Sequence, residues 1–332
     1  MKRIYSAIAI FVGCLILILN NSMSLAQNTA RDPLPSWNTG TVKTAIVEFV
    51  NRTTTSGSPD YLPPKNRIAT FDNDGTLWAE KPLIQGMFVL ESLKTLVKTN
   101  PNLREKQPFK AALEGDLAYI KQIGEEAVME LLAAVHANQT QETFDAEARQ
   151  FFETGIHPTL NVPYTQLAYQ PMQELIAYLQ KNDFQTWICS GGGVDFIRLI
   201  SESMYGISSQ QVIGSSLKKE FIEKEGQFAI WRTDKLNSFN DKAVKPVNID
   251  LHIGQRPILA AGNVRNGGDI AMLNYSQGGK QKSLQLLINH DDAEREFAYA
   301  EADNASLTAA QKNNWQVISM KKDWKQIFAY QK

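Results

Sequence analysis

The stretch RIATFDNDGTLW, residues 67–78, joins an apolar run, Ile68 to Phe71, to two aspartates one residue apart, Asp72 and Asp74. The apolar run predicts a buried strand, and Gly75 predicts a tight turn directly after it. Strand ends that open into loops are where α/β proteins place their chemistry. One carboxylate there could act as a nucleophile while the other transfers a proton, and the two lie close enough to share a divalent cation.

This loop has two simpler interpretations. Asp, Asn and Gly all favour turns, so the segment by itself is also compatible with a polar turn of no catalytic role. A calcium-binding EF-hand loop requires Gly at its sixth position and Glu at its twelfth. Counted from Asp72, those positions hold Leu77 and Leu83, which excludes the EF-hand.

Composition indicates a globular protein with a large core. The chain has 332 residues, of which 43% are hydrophobic and 21% charged. This length allows a second small domain or a sizeable insertion beside the main core. The formal net charge is −1, and the sequence contains no basic run or basic-aromatic stripe. We therefore expect no nucleic-acid partner.

The first 26 residues have the layout of a secretory signal peptide. Lys2 and Arg3 precede an apolar run from Ile4 to Leu19, and Ser24-Leu25-Ala26 offers small residues before a cleavage point at Gln27. The prediction is an exported protein, periplasmic or secreted, with no stable membrane partner after cleavage. An uncleaved membrane anchor is the alternative, although the apolar run is slightly short for a spanning helix.

Cleavage would change the charge and the cysteine count. Removing residues 1–26 takes two of the 34 basic residues and none of the 35 acidic ones, which moves the net charge to −3. Cys189 is then the single cysteine, so an internal disulfide is excluded and stability must come from the core.

The order of patterns along the chain predicts an α/β fold, a Rossmann-like parallel sheet flanked by helices. After a linker (27–40), helical spacing over residues 42–50 precedes the first strand, and further apolar strands are expected at 184–189, 257–261, 284–288 and 317–320. Helical segments separate these strands, as in parallel sheets. Residues 83–164 show helical periodicity with no convincing strand, so we predict a helical cap inserted into a catalytic core (41–82 and 165–332). Residues 218–232 predict a β-hairpin.

Three of the predicted strand ends carry polar, glycine-rich segments. They are residues 72–76, Ser190-Gly191-Gly192-Gly193, and residues 262–269. In a parallel sheet these segments lie along one edge. A hydroxyl with glycine amides at a helix start binds anions, and clustered Asp and Asn oxygens bind hard cations. An anion site and a cation site beside paired carboxylates indicate phosphoryl transfer.

With these segments in order, the chain resembles the haloacid dehalogenase (HAD) superfamily of aspartate-nucleophile phosphatases, in its capped, phosphoserine-phosphatase-like form. The resemblance rests on four motifs: Asp72-x-Asp74-Gly75-Thr76, the strand-end Ser190, a lysine in Asp-Lys-Ala-Val-Lys-Pro, and Gly262-Asn263 with Gly268-Asp269 followed by Ile-Ala-Met-Leu. It covers the core on both sides of the insertion. An insertion at this position implies a cap that closes over a small substrate.

The resemblance implies a role for each motif. Asp72 would form an aspartyl-phosphate, and Asp74 would protonate the leaving alcohol and later activate water. Ser190 would bind phosphoryl oxygens together with Gly191, Gly192 and Thr76. Lys245, preferred over Lys242 because Lys-Pro is the commoner family form, would neutralise charge. Mg²⁺ would be held by Asp72, the Asp74 carbonyl, Asn263 and Asp269.

The fourth motif departs from the family pattern. The common form begins with Asp and has a second Asp four residues later, whereas this chain has Asn263 and an acid six residues on. This leaves open which residue of the motif holds the metal directly. We expect Asp72 and Asp269 to supply two charges and Asn263 a neutral oxygen.

The expected function is an Mg²⁺-dependent phosphomonoesterase acting on a small phosphorylated substrate. An acid at position 74 favours a phosphatase over a dehalogenase-like relative, since a halide needs no proton. The alternatives are a phosphotransferase, a dead phosphate- or metal-binding protein, and a phosphonate-cleaving enzyme. The last would use a cap lysine, for which the sequence offers Lys94, Lys98, Lys106, Lys110 and Lys121.

Some polar and aromatic residues near the motifs have weaker functional cases. Trp78 and Glu80 could touch substrate, although Trp78 is equally compatible with a core aromatic. His290-Asp291-Asp292 is interpreted as a helix N-cap with acids in its first turn. His157 is expected to be structural, and Arg198 to be a solvated charge.

Overall fold

The computed structural model describes residues 32–331 apart from positions 225 and 266. The predicted signal peptide (1–26) and the first residues of the predicted linker (27–40) lie outside this part of the chain. Within residues 32–331, no helix has both the length and the apolar character needed to cross a membrane.

One mixed sheet organises the described residues. Its strands are β1 (Ile68–Phe71), β2 (Gln139–Thr140), β3 (Gln185–Gly193), β4 (Val212–Lys224), β5 (Gln227–Ser238), β6 (Leu259–Asn263), β7 (Leu284–Asn289) and β8 (Gln316–Ser319). They are arranged in the order β2-β5-β4-β3-β1-β6-β7-β8. Neighbours from β4 to β8 pair in parallel, and β5 pairs antiparallel with both β4 and β2. The predicted α/β fold is confirmed.

Helices flank this sheet and form most of the insertion. They are α1 (Thr41–Thr54), α2 (Ile84–Thr99), α3 (Phe109–Glu114), α4 (Leu117–Ile123), α5 (Glu125–His136), α6 (Gln141–Thr154), α7 (Gln170–Lys181), α8 (Val194–Arg198), α9 (Ser201–Tyr205), α10 (Val244–Ile253), α11 (Ile270–Gln277), α12 (Ala305–Asn313) and α13 (Met320–Asp323). Pro171 lies in the first turn of α7, where its missing N–H costs no hydrogen bond.

Strand β1 lies between β3 and β6 in the sheet. Phe71 pairs with Ile188 on one side and Ala261 on the other. All four β1 residues are buried, as expected for a parallel strand covered on both faces. Because adjacent parallel strands end at the same edge, the residues that follow β1 face the ends of β3 and β6. This arrangement brings the three polar segments together.

Two local predictions were wrong, and the predicted hairpin was confirmed with wider bounds. Strand β3 continues through Ser190 to Gly193 instead of turning after Cys189, and its pairing with β4 shifts register over those residues. The β4–β5 hairpin is longer than residues 218–232. The insertion contains β2, a two-residue strand paired with β5. So short a strand has no sequence pattern of its own and exists because β5 offers a free edge.

Hydrophobic clusters cover both faces of the sheet. One cluster packs α1 and α7 on one face through side chains such as Ile46 and Leu175, and another packs α10 and α11 on the opposite face through Ile249 and Met272. A third lies within the insertion, between α2, α3 and α5.

The insertion shares a core with the sheet domain. Phe151 and Phe152 of α6 pack on Phe196 of α8, with ring centroids 6.0 and 4.5 Å apart. From Leu34 onward the chain forms one compact unit. The cap boundary at residues 83–164 remains a prediction, although α2 to α6 lie within it.

Candidate active site

Asp72 and Asp269 share one lysine at the carboxyl edge of the sheet. Lys245 Nζ lies 2.7 Å from Asp72 Oδ1 and 2.5 Å from Asp269 Oδ1. All three residues are buried, with exposed fractions of 6% or less. Asp72 follows β1 directly, Lys245 is in the first turn of α10, and Asp269 precedes α11. Three separate elements therefore build one charge cluster.

The protonation of this cluster is strongly perturbed. Burial and the Asp269 carboxylate raise the pKa of Asp72 to about 7, and Lys245 offsets only part of that shift. Burial disfavours the ammonium of Lys245, but Asp269 and Asp72 outweigh this cost and raise the pKa of the lysine. The lysine is therefore charged at neutral pH, while two carboxylates compete for it. A second positive charge at this point would stabilise both carboxylates.

Asp74 lies between the indole of Trp78 and the Ser190 segment. Its Oδ1 accepts a hydrogen bond of 2.9 Å from Trp78 Nε1. Its Oδ2 faces the glycines of β3, because a Cβ atom placed on Gly192 would lie 3.2 Å from both Asp74 Oδ2 and Ser190 Oγ. The same Cβ atom would lie 3.0 Å from Gln85 Nε2, so the absence of a side chain at Gly192 lets Asp74, Ser190 and Gln85 approach one another.

The Ser190 segment is held in place from several directions. The Ser190 hydroxyl is buried and accepts a hydrogen bond of 3.0 Å from the Gly192 amide. Asn240 Nδ2 donates to the Ser190 carbonyl at 2.9 Å, and Ser215 Oγ donates to the Gly191 carbonyl at 2.7 Å. These bonds hold the predicted phosphate-binding segment rigid beside Asp74.

Asn263 joins the fourth motif to the Asp72 loop through its amide nitrogen. Asn263 Nδ2 lies 2.7 Å from the Asp74 carbonyl, 3.2 Å from Asp72 Oδ2 and 3.1 Å from the Thr76 hydroxyl. Asn263 Oδ1 is buried without a hydrogen-bond partner. The expected neutral oxygen therefore points away, and the nitrogen faces the carboxylate. Thr76, predicted at the phosphate site, is fully buried and faces Asn263.

Asp269 is held by two donors. Its Oδ1 accepts from Lys245, and its Oδ2 accepts from the Asn263 backbone amide at 2.9 Å. The contact requires Gly262, because a Cβ atom at this position would lie 2.5 Å from the Asp269 side chain. Asp269 thus links the lysine to the strand end, and the role of metal ligand remains a prediction for it.

The oxygen atoms around Asn263 fit a magnesium ion. Asp72 Oδ2 and the Asp74 carbonyl converge on the amide nitrogen, while the amide oxygen has no partner. The two ends of an amide have nearly the same shape, so a half-turn of the Asn263 side chain would present its oxygen to the same point. Carboxylate, carbonyl and amide oxygens form a hard-cation donor set. The described residues contain no cluster of three or more His, Cys, Asp or Glu side chains that could hold a metal.

Arg265 and Glu80 form a second charged pair near the site. The sequence patterns named Glu80 as a possible substrate contact but did not single out Arg265. Arg265 Nη1 lies 2.6 Å from Glu80 Oε2, and Glu80 is 2% exposed. Burial raises the pKa of Glu80, and Arg265 offsets part of that shift. The guanidinium also interacts electrostatically with Asp74 and Asp72. The sequence signal that could have identified Arg265 is a charged residue inside the glycine-rich loop after a strand.

Gln85 links the insertion to the Ser190 segment. Its Oε1 accepts a hydrogen bond of 2.9 Å from the Gly193 amide, and its Nε2 approaches the Gly193 carbonyl at 3.4 Å. Gln85 lies in the first turn of α2. No sequence pattern indicated this contact, because glutamine near a helix start is common.

The other polar residues near the motifs take structural positions. His290 Nε2 lies 2.8 Å from the Gly75 carbonyl, so His290 supports the catalytic loop, and no helix begins at Asp291. His157 bonds the Lys81 carbonyl at 2.9 Å. Arg198 Nε donates to the Ser209 carbonyl at 3.0 Å and is not simply solvated. Lys242 is exposed, in contrast to Lys245.

This site, with two aspartates after a central parallel strand and a lysine from a later helix, has the parts of an aspartate-nucleophile hydrolase. The sequence matches the haloacid dehalogenase-like hydrolase family over residues 69–260, more than half of the chain, and the protein belongs to that family. The family resemblance seen in the sequence is confirmed.

Solved structures align with this chain at low sequence identity. A conserved functionally unknown protein from Anaerococcus prevotii DSM 20548 aligns with a TM-score of 0.53 and 14% identity, covering 84% of this chain and 91% of that chain. A phosphoserine phosphohydrolase-like protein from Francisella tularensis subsp. tularensis SCHU S4 aligns with a TM-score of 0.42 and 16% identity, covering 76% and 94%. At 14% identity, the alignment with the Anaerococcus prevotii protein shows similarity of fold alone. No curated protein sequence matches the chain.

Proposed function

We propose that the protein hydrolyses small phosphate monoesters through a phosphoryl-Asp72 intermediate. The observation that carries the proposal is the arrangement of the two carboxylates. Asp72 lies against Lys245, and Asp74 directs one oxygen toward the Ser190 segment. This arrangement supports the assignment of Asp72 as nucleophile, Asp74 as proton donor and the Ser190 segment as the anion-binding segment.

The reaction has two steps, and Asp74 acts in both. A carboxylate oxygen of Asp72 attacks phosphorus, the ester P–O bond breaks, and the leaving oxygen takes a proton from Asp74. Water then attacks phosphorus and gives its proton to Asp74, which releases inorganic phosphate and restores Asp72. Ser190 and the neighbouring amides orient the phosphoryl oxygens.

Charge is the main obstacle to this attack. A carboxylate and a phosphate oxygen about 4 Å apart repel by about 4 kcal/mol at an effective dielectric constant of 20. Lys245 supplies one compensating charge beside Asp72. Mg²⁺, held by Asp72, the Asp74 carbonyl and Asn263, would supply further positive charge when bound.

The phosphonate-cleaving alternative lacks a suitable lysine among the described cap side chains. A Schiff-base lysine needs a desolvated site. Lys94, Lys98 and Lys106 are exposed, and Lys110 is only partly buried and lies 3.9 Å from Glu105.

The proposal is tested with a panel of alkyl and aryl phosphates, assayed with Mg²⁺ and with a chelator. Asp72→Asn should lose at least about a hundredfold in turnover, because an amide cannot form the acyl phosphate. Borohydride reduction of the working enzyme should convert Asp72 to homoserine. Asp183→Asn is the control, because Asp183 is exposed and its φ of 60° suits asparagine. Turnover by Asp72→Asn close to wild type would refute the nucleophile.

We also propose that the protein is exported and that the mature chain begins at Gln27. The support is the charged start, the apolar run and the small residues that precede Gln27. N-terminal sequencing of the native protein from the producing cells tests this. Recovery of an intact Met1 end in the cytoplasmic fraction would contradict it.

A further inference from the structure

Trp78 donates its indole N–H to the carboxylate assigned here as the acid–base group. The distance from Trp78 Nε1 to Asp74 Oδ1 is 2.9 Å, and both side chains are buried, with exposed fractions of 0% and 4%. Buried indole nitrogens need a partner, but a backbone carbonyl would satisfy one equally well. Here the partner is a carboxylate that faces the proposed phosphate site.

The indole is held rigidly in this position. The Trp78 amide and carbonyl bond back to the catalytic loop, at Asn73 and Gly75. The ring itself packs on Phe152 of cap helix α6, with centroids 6.4 Å apart. The direction of the indole N–H is therefore set by both the loop and the cap.

An indole nitrogen can only donate a hydrogen bond. Asp74 Oδ1 therefore acts as the acceptor in this contact, and in a protonated carboxyl group the carbonyl oxygen is a better acceptor than the hydroxyl oxygen. Asp74 Oδ2 is the remaining oxygen, and it faces Gly192 and Ser190. When Asp74 is protonated, its proton belongs on the oxygen that faces the substrate space.

We propose that Trp78 is a positioning residue, whose indole N–H confines the transferable proton of Asp74 to Oδ2. This inference rests on the proposed phosphatase function. In the first step, Oδ2–H breaks as the leaving oxygen gains the proton and the P–O bond opens. In the second step, Oδ2 takes the proton of the attacking water. Trp78 exchanges no proton in either step.

The test measures how kcat/KM depends on the leaving group in Trp78→Phe. This parameter reports on steps up to phosphorylation of Asp72, where the leaving oxygen needs a proton. For an alkyl phosphate, kcat/KM should fall by about tenfold or more, because general acid catalysis contributes about 10²–10⁴-fold. For a nitrophenyl phosphate, whose leaving group departs without protonation, it should stay within about threefold of wild type.

Trp37→Phe is the matched control. Trp37 is 2% exposed, and its indole donates to the Pro171 carbonyl at 2.9 Å. This variant also loses a buried indole hydrogen bond, but away from Asp74. Its ratio of alkyl to aryl kcat/KM should equal that of wild type. An equal ratio in Trp78→Phe, whether both rates fall or neither does, would overturn the proposal.

Two further measurements keep the test decisive. If Trp78→Phe does not fold, Trp78 is replaced by benzothienylalanine, which keeps the shape of the ring but has no N–H. The same change in ratio is expected, and an unchanged ratio in this folded variant refutes the proposal. If wild type hydrolyses neither class of ester, the proposed function fails first, and that result is distinct from an unchanged ratio.

Discussion

Lys245 and Lys242 are three residues apart in sequence but lie in opposite environments. Lys245 is 2% exposed and contacts two carboxylates, whereas Lys242 is exposed and precedes α10 with a φ of 50°. The family resemblance left both as candidates for the cation that assists Asp72. The geometry favours Lys245, because its charge lies where a phosphate would meet the nucleophile.

Replacing Lys245 should therefore have a much larger effect than replacing Lys242. We expect Lys245→Met to lower kcat/KM by at least about 10²-fold, as for other groups that stabilise charge in the transition state. Lys242→Met should stay within about twofold. Steady-state kinetics on one phosphate ester compares the two variants. If Lys242→Met is the more impaired, the assignment is reversed.

Asn263 offers a second test at the level of one residue. Asn263→Asp replaces the donor that faces Asp72 Oδ2 and the Asp74 carbonyl with an oxygen, so three oxygens would meet without a proton or cation. The variant should unfold at a lower temperature in chelator and regain stability with Mg²⁺, by a larger shift than wild type shows. Thermal unfolding with and without Mg²⁺ measures this.

Asn240→Asp controls for burying a carboxylate near the site. Asn240 is fully buried and bonds the Ser190 carbonyl, but it lies outside the proposed cation site. It should lose stability that Mg²⁺ does not restore. Equal responses of the two variants to Mg²⁺ would argue against Asn263 as part of a cation site.

Among the elements, α5 ends in a histidine that the cap keeps neutral. His136 is 2% exposed, stacks on Phe88 of α2 at 4.2 Å and bonds Ser92 at 3.1 Å. Burial, together with the charge of Arg232, lowers the pKa of His136 to about 3. Protonation of this side chain therefore opposes the packing of α5 on α2.

The depressed pKa of His136 predicts a dependence of stability on pH. The unfolded chain binds a proton below about pH 6.5 while the folded protein does not, so this contribution is complete above that pH and is lost as pH falls toward about 3. Between pH 7.5 and 5, His136 should reduce the free energy of unfolding by about 2 kcal/mol. His136→Gln should remove this part of the pH dependence.

Denaturant unfolding of wild type and His136→Gln at both pH values measures the effect. The change in the free energy of unfolding between the two pH values is compared in the two proteins. Other titrating groups contribute equally to both changes, so the difference reports on His136. His252→Gln, at an exposed position in α10, controls for the loss of an imidazole. An equal pH dependence of the free energy of unfolding in wild type and His136→Gln would contradict the prediction.

In the whole molecule, Arg232 of β5 ties the cap to the sheet domain. It pairs with Asp195 of α8, donates to the His136 carbonyl at 3.0 Å and donates to Gln141 Oε1 at 3.0 Å. Beside it, Gln139 and Thr140 extend the sheet through β2. These contacts join the β4–β5 hairpin to the cap where α5 ends and α6 begins. They also join it to α8, the helix that follows the Ser190 segment.

Arg232→Met should loosen this junction. The change leaves Asp195 with Lys219 alone and should cost about 3 kcal/mol, the lower end for breaking a buried ion pair. Hydrogen exchange should increase in residues 136–154 and in the hairpin, while β1 and β6 remain protected. Arg67→Met is the control, because Arg67 is 4% exposed and bonds the carbonyls of Leu62 and Asn182 outside the cap. If both variants show the same pattern of increased hydrogen exchange, Arg232 does not specifically join the cap to the sheet domain.

Much of the fold could be predicted from local patterns. The buried run before Asp72, the alternation of strands and helices and the order of the four motifs all depend on residues close together in the chain. Periodicity and turn chemistry express such short-range preferences. They place polar segments at strand ends, and parallel pairing then requires that these segments share an edge.

Other features depended on tertiary packing. Lys245 reaches Asp72 from 173 positions away and Asn263 from 191, and no local pattern states which atoms meet across such distances. The Trp78–Asp74 contact is short in sequence, yet the indole direction depends on the packing of α6. The sequence by itself therefore determined the family, the alternation of strands and helices, and the candidate residues. Only the tertiary structure decided which lysine faces Asp72, which atom Asn263 presents and what holds Asp74, because those depend on how distant elements pack.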